Sequence, residues 1–351
     1  MKKMTTVLFA FFFITTLNAQ TFPREDWTYN TNYETNGWDA SKLKNYKQFL
    51  IDSTQITGLV IVHQGEIVFR YGDIKENSYI ASCRKSILAM LYGKYVENGQ
   101  IKLNKTLKEL QIDDITELSE LEKSTTINNI ISARSGVFLR GSNLGDDRKY
   151  APERNSKKPG TYWLYNNWDF NVAGFIFEKE TGYNIYDEVE KQLAIPLHMQ
   201  DWDRSLQRKR GDLTISKYPA YHMWFSTRDM ARVGLLMLKK GKWQEKQLLS
   251  EKWVAEMTSQ ITTSTEVENN TLKSTDVDFG YGYMWWLWEN ITDNKFKGAY
   301  SAFGVYGQSI TIYPEIDVVV AYKTKGIYGR SNDFGTQIKI LKKAVNNFKN
   351  Q

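Results

Sequence analysis

Two stretches near the front of the chain carry the apolar pattern of strands. Thr57-Gly58-Leu59-Val60-Ile61-Val62-His63 and Glu66-Ile67-Val68-Phe69-Arg70-Tyr71 are rich in β-branched and aromatic residues. Gln64-Gly65 between them predicts a hairpin. Upstream, Asp39-Ala40-Ser41 opens a helical pattern that continues through Phe49-Leu50-Ile51. Downstream, Ile87-Leu88-Ala89-Met90-Leu91-Tyr92 predicts a helix that fades near Asn98-Gly99. From about 101 to 275 the spacing is mostly helical, with many loops. Helices are expected over 126–134, 171–181, 230–240 and 250–259, with Gly136, Gly182 and Gly241 as stops and Ser226 as a cap. The stretch 141–160, rich in charge, Gly and Pro, predicts a long loop leading into Tyr162-Trp163-Leu164-Tyr165. Strand patterns return over 281–288, 307–313 and 317–322, with a turn at Pro314-Glu315-Ile316, and a helix closes the pattern over about 333–348.

Strands at both ends with helices between them predict an α+β fold. One antiparallel sheet would be built from about 20–80 and 276–351, flanked by helices, and would carry a mostly helical inserted region over about 81–275. No internal repeat is present.

The first residues change the picture of where such a domain works. Lys2 and Lys3, an apolar stretch from Val7 to Leu17, and Leu17-Asn18-Ala19 before Gln20 have the form of a signal peptide over 1–19. The expectation is export to the periplasm or the exterior of a bacterium, with the domain occupying 20–351. The apolar stretch is short for a membrane span, and no later run reaches about 18 apolar residues. Without Lys2 and Lys3 the chain has 44 basic and 40 acidic residues, a mild surplus without a basic tract. That argues against a nucleic-acid partner. Cys83 is the one cysteine, which excludes an internal disulfide.

The candidate chemistry begins by elimination. His63, His198 and His222 are far apart and form no metal-ligand spacing, so no metal or other cofactor is expected. His63 at the hairpin end is expected to face solvent, His198 follows a Pro-Leu turn, and His222 lies in an aromatic loop. No Gly-x-Ser-x-Gly elbow for a Ser-His-Asp hydrolase appears.

A hydroxyl nucleophile without histidine needs another base. Ser82-Cys83-Arg84-Lys85 puts a serine at the mouth of a helix and a lysine one turn along the same face. The helix N-terminus favours negative charge there. Arg84 would point to another face and is expected to be structural. Ser41-Lys42-Leu43-Lys44 has the same spacing and reads as a solvated helix start. A tyrosine beside Lys85 could share the proton as a coupled acid/base unit, and Tyr165-Asn166-Asn167 offers one, with Asn167 available to a substrate carbonyl.

Ser82-x-x-Lys85 followed by Tyr165-x-Asn167 resembles the serine beta-lactamase and penicillin-binding protein superfamily. It is most similar to the class C beta-lactamase and D-peptidase/esterase branch. Ser132-Ala133-Arg134-Ser135-Gly136-Val137, Pro159-Gly160-Thr161-Tyr162-Trp163-Leu164-Tyr165, Pro196-Leu197-His198-Met199 and Ser226-Thr227-Arg228-Asp229-Met230-Ala231-Arg232 extend the resemblance in order. It implies that Ser82 attacks an ester or amide carbonyl and forms an acyl-enzyme that water hydrolyses. Lys85 would act as base and Tyr165 as general acid/base, while Asn167 orients substrate. The oxyanion would be held by two backbone N–H groups, one of them from Ser82.

The family's third motif, Lys-Thr-Gly or His-x-Gly, has no intact counterpart. The matching stretch is Phe303-Gly304-Val305-Tyr306-Gly307-Gln308-Ser309. Val305 would fall on the basic position, Gly307 on the glycine, and Gln308 would supply the second N–H, with Val305, Tyr306 and Gly307 against substrate. The missing basic side chain argues against the usual carboxylate recognition. Trp163, Trp168, Trp224, Trp285, Trp286, Trp288 and Tyr306 suggest an aromatic cleft, with one or two of them on substrate. The expected function is an exported serine hydrolase acting on a small molecule or short peptide, cell-wall derived in one version. The alternatives are a true beta-lactamase or D-amino-acid peptidase that uses an arginine such as Arg330, and a non-catalytic cell-wall or glycan-binding protein.

Overall fold

The computed structural model describes residues 21–145, 147–267 and 276–349. The signal-like stretch 1–19 lies outside the described residues. Among the described residues a seven-stranded antiparallel sheet forms the centre. Its strands are β1 (Gly58–His63), β2 (Glu66–Gly72), β3 (Asp278–Tyr281), β4 (Trp286–Glu289), β5 (Tyr300–Gly304), β6 (Gln308–Tyr313) and β7 (Val318–Lys323), in the order β2-β1-β7-β6-β5-β4-β3. The predicted α+β architecture is therefore the observed one. β1 and β7, from opposite ends of the chain, pair from Gly58↔Lys323 to His63↔Val318. Both are buried along their whole length, which explains their continuous apolar runs.

The Gln64-Gly65 turn takes positive φ at both positions (51° and 84°), the twist a two-residue hairpin loop needs. Helices cover both faces of the sheet. On one face α1 (Ala40–Ser53) packs with α6 (Phe334–Asn346), where the Tyr46 hydroxyl donates to the Ile340 carbonyl. On the other lie α2 (Cys83–Glu97) and α5 (Thr227–Leu238), the latter close enough that a Cβ on Gly234 would be 2.4 Å from Val319 Cγ1. Between these come α3 (Ile127–Ile131) and α4 (Asn167–Thr181). No helix among the described residues is long and apolar enough to cross a membrane.

Three expectations are corrected. The strand expected over 281–288 is two strands, β3 and β4, separated by a turn in which Met284 has φ 59°. Strand β5 was not foreseen, because Tyr300-Ser301-Ala302-Phe303-Gly304 is wholly buried and shows no alternation. His63 does not face solvent. It is 3% exposed, packs beside Phe348, and its Nδ1 accepts from Trp38 Nε1 at 3.2 Å.

Candidate active site

Ser82 stands directly before α2, a helix apolar on nearly all sides and buried in the domain. Ser82 itself is partly exposed, unlike the buried residues that follow it. Ser119, Ser226 and Ser250 each start a helix and accept a bond from an amide three residues on. Ser82 does not; its backbone is already helical (φ −76°, ψ −8°), and its hydroxyl makes no cap. Ala81 before it takes φ 48°, a left-handed conformation that a side chain disfavours. The chain thus places an alanine in a strained turn and presents, at a helix N-terminus, a hydroxyl that makes no cap.

Lys85 lies one turn along, 1% exposed. Its Nζ donates to Tyr165 Oη at 2.7 Å and sits 4.0 Å from the centre of the Tyr165 ring and 4.2 Å from that of Phe170. Burial pushes the Tyr165 phenol well above its ordinary range; the Ser82 side chain beside it and the Arg84 charge pull it back down. Ser82, Lys85 and Tyr165 therefore converge, as the sequence pattern anticipated. Ser41 of the look-alike tetrapeptide is exposed on α1.

Tyr165 is held by its neighbour. Asn166 Nδ2 donates to the Val137 and Leu139 carbonyls at 3.0 and 3.1 Å, while its Oδ1 accepts from Trp168 N and starts α4. The sequence reading passed over Asn166, although an asparagine before a helical run is itself a cap signal. The preceding segment is fixed to the end of α3, with Leu164 N donating to the Ala133 carbonyl at 3.0 Å and Gly160 N to that of Arg134 at 2.7 Å. The Tyr165 ring rests on Phe170 and Trp286, with centroids 4.9 and 5.4 Å away.

A cleft of about 360 Å³ opens over Ser82 and Tyr165. Its other walls are Gly145, Asp147, Trp286, the run Phe303 to Tyr306, Ser331, Asn332, Phe334 and Gln337. The β5 strand reaches the serine through Gly304, where a Cβ would be 2.8 Å from the Ile80 carbonyl oxygen. The residue next to the serine turn is thus Gly304, and Val305 follows it into the cleft, half-exposed. Gly307 instead has φ 103° in the β5–β6 turn and backs onto Thr324 and Asn332. Gln308 is buried, its side chain exchanging bonds with the Thr324 backbone, and it is not on the cleft wall. This differs from the expected indexing by the length of the turn. Asn167 is also buried and off the cleft wall, its Nδ2 donating to the Leu144 carbonyl at 2.9 Å.

Of the aromatic residues expected near the cleft, Trp286 and Tyr306 line it. Trp168 donates to Asp114 and Trp288 stacks on Phe296. Cys83 is buried, burial pushing its thiol up, and its sulfur faces the Ala302 carbonyl at 3.5 Å. His222 packs against Tyr79 off the cleft wall, and His198 is exposed. Arg330 is exposed and adjoins the cleft residue Ser331 without lining it. Among the described residues no lysine or arginine lines the cleft. No group of three or more His, Cys, Asp or Glu placed to hold a metal occurs among the described residues.

The beta-lactamase family model matches residues 48–340, most of the chain. The chain belongs to the beta-lactamase family. Solved structures agree in fold. An octameric penicillin-binding protein homologue from Pyrococcus abyssi shares 18% identity at a TM-score of 0.64, covering 88% of this chain and 76% of that one. A beta-lactamase from Mycobacterium bovis shares 15% identity at 0.60, with 86% and 98% covered. EstCE1, a hydrolase with promiscuous acyltransferase activity, shares 15% at 0.57, with 83% and 95% covered. No curated protein matches the sequence. This member of the family combines the buried lysine–tyrosine pair with a cleft wall that, among the described residues, carries Asp147 and no cation.

Proposed function

We propose that this protein is a serine hydrolase that cleaves an ester or amide through an acyl-serine at Ser82, closest in type to the esterase and D-peptidase branch of its family. The observation that carries this is the 2.7 Å bond between Lys85 and Tyr165 beside a partly exposed serine that caps nothing. The pair takes the Ser82 proton during attack and returns it to the leaving group, general acid–base work of about 10²–10⁴-fold. The negative oxygen of the tetrahedral intermediate is held by the N–H groups of Ser82 and Val305. Among the described residues neither amide donates to a backbone carbonyl. Val305 takes the role first expected of Gln308, because Gly304 is the glycine that abuts the serine turn.

The aromatic wall and Asp147, the lone charged lining residue among the described residues, favour acyl or leaving groups without a carboxylate. Resemblance to EstCE1 supports acyl transfer chemistry of this breadth. The basic start and small-residue site in the first twenty residues support action outside the cytoplasm.

A fluorophosphonate probe tests the proposal. Intact mass should show one adduct on the wild type and none on Ser82→Ala, with ester turnover lost in the same variant. A wild type that takes no adduct from any acylating probe or ester would overturn it, and ligand binding undisturbed in Ser82→Ala would then point to a non-catalytic binding protein.

A further inference from the structure

Arg84 is 1% exposed, and no carboxylate answers its charge. Its Nη2 meets Asn171 Oδ1 at 3.4 Å, its guanidinium lies 4.9 Å from the centre of the Tyr221 ring, and its Nε is buried without a partner. Arg84 forms no ion pair among the described residues. A buried charge is ordinarily paired because leaving water is costly. Here the fold keeps one unpaired next to the residue that must act as base.

We infer that Arg84 is an electrostatic positioning residue whose buried, unneutralised guanidinium keeps the Lys85–Tyr165 pair short of one proton and so ready to accept the one from Ser82. The inference rests on the serine-hydrolase reading above. The fully protonated pair, ammonium with phenol, carries a net positive charge. The form ready to act has lost one proton and is neutral overall, whether the proton left from nitrogen or from oxygen. A fixed cation nearby disfavours the positive form in either case. Arginine suits the position, because it stays charged when buried and lysine sheds its proton.

The other groups around the pair do not supply this bias. Asp147 acts on Tyr165 in the opposite sense, as does Cys83, which burial keeps as a neutral thiol. Asp169 on α4 faces Ser135, whose hydroxyl donates to it at 2.8 Å, and burial pushes its carboxyl up. Tyr79, Tyr186, Tyr221 and Tyr281 are buried phenols whose pKa values burial raises. His222 is driven down to about 3 by burial first and by the charges of Arg84, Arg210 and Arg208 after it. Glu178 acts on Tyr186 and is tied to Lys209.

The test is the pH dependence of Ser82 labelling by a fluorophosphonate, from about pH 5 to pH 9. Arg84→Met removes the cation. Asn171→Asp leaves Arg84 in place and sets a carboxylate against it, and it decides the matter alone if Arg84→Met does not fold. Both should move the acid-side midpoint upward by about one unit, so that labelling below the midpoint slows about tenfold while the alkaline plateau persists. A purely structural role would not make Asn171→Asp shift a midpoint. If the wild type labels and folded variants keep its midpoint, the Arg84 inference is overturned and the hydrolase reading stands. If the wild type takes no label at Ser82, both fall.

Discussion

Gly304 and Ala81 touch across the floor of the cleft: a Cβ on Gly304 would lie 3.0 Å from the Ala81 Cβ. The same Cβ would meet the Ile80 carbonyl oxygen at 2.8 Å. One glycine therefore sets how closely β5 approaches the serine turn. Gly304→Ala should push the strand and its Val305 amide away from Ser82. A displacement near 1 Å costs about 10²-fold in a positioned reaction, while overpacking costs about 1–3 kcal/mol. Ester kcat/KM and chemical denaturation on the same variant measure the two. Full activity in Gly304→Ala would remove Val305 from the proposed oxyanion site.

Asn166 joins two functions in one side chain. It bonds the loop at Val137 and Leu139 and starts α4, and Tyr165 is its immediate neighbour. Asn166→Ala should destabilise the protein by about 1–3 kcal/mol, from the lost cap and the two unanswered carbonyls. It should also lower kcat more than it raises KM, because the tyrosine loses its anchor. Steady-state kinetics at a temperature where the variant is fully folded separates the two effects.

Acid should destabilise the fold through its histidines. Burial lowers the pKa of His63, and burial with three arginines lowers that of His222 to about 3. An unfolded histidine takes up its proton near pH 6.5, and these two do so only at lower pH when folded. The unfolded state thus binds more protons in that window, so stability is fully present above about pH 6.5 and is lost as pH falls toward 3. His222→Phe keeps a ring against Tyr79 and removes the titration. Urea denaturation at several pH values should show a flatter acid dependence for it than for the wild type.

Substrate charge should matter in a direction set by the cleft wall. Neutral p-nitrophenyl esters should be cleaved at least about tenfold more efficiently than esters of matched size bearing a carboxylate, since among the described residues no lining cation offers a partner and Asp147 repels. Asp147→Asn should narrow the gap. Equal kcat/KM for both ester classes would contradict this reading of the wall, as would rapid nitrocefin turnover.

Much of the site could be read from residue order because its central pair obeys helical geometry. Ser82 and Lys85 are one turn apart whatever surrounds them, and Tyr165 stood out as the tyrosine of the Tyr-x-Asn tripeptide. The glycine of the third motif was a different matter. Gly304 and Gly307 both stand in the stretch Phe303 to Ser309, and what distinguishes them is tertiary: one meets the Ile80 carbonyl, the other turns a hairpin. Strand β5 escaped notice for a related reason, since a short strand buried on both faces carries no alternation to read. His63 was misjudged because its partners, Trp38 and Phe348, come from distant parts of the chain. The overall architecture was legible because the β-branched runs of β1 and β7 are continuous and long.

That pairing of β1 with β7 bears on how the protein comes into being. Gly58 waits for Lys323, and the strand that lies between the two halves of the sheet does not exist until more than 250 further residues have been made. Contacts so remote in sequence are slow to close, and the early hairpin meanwhile offers an open edge to other chains. Assembly should therefore be governed by the arrival of residues 318–323, and the yield of active protein should depend more on what shields the hairpin during that wait than on the stability of the finished fold.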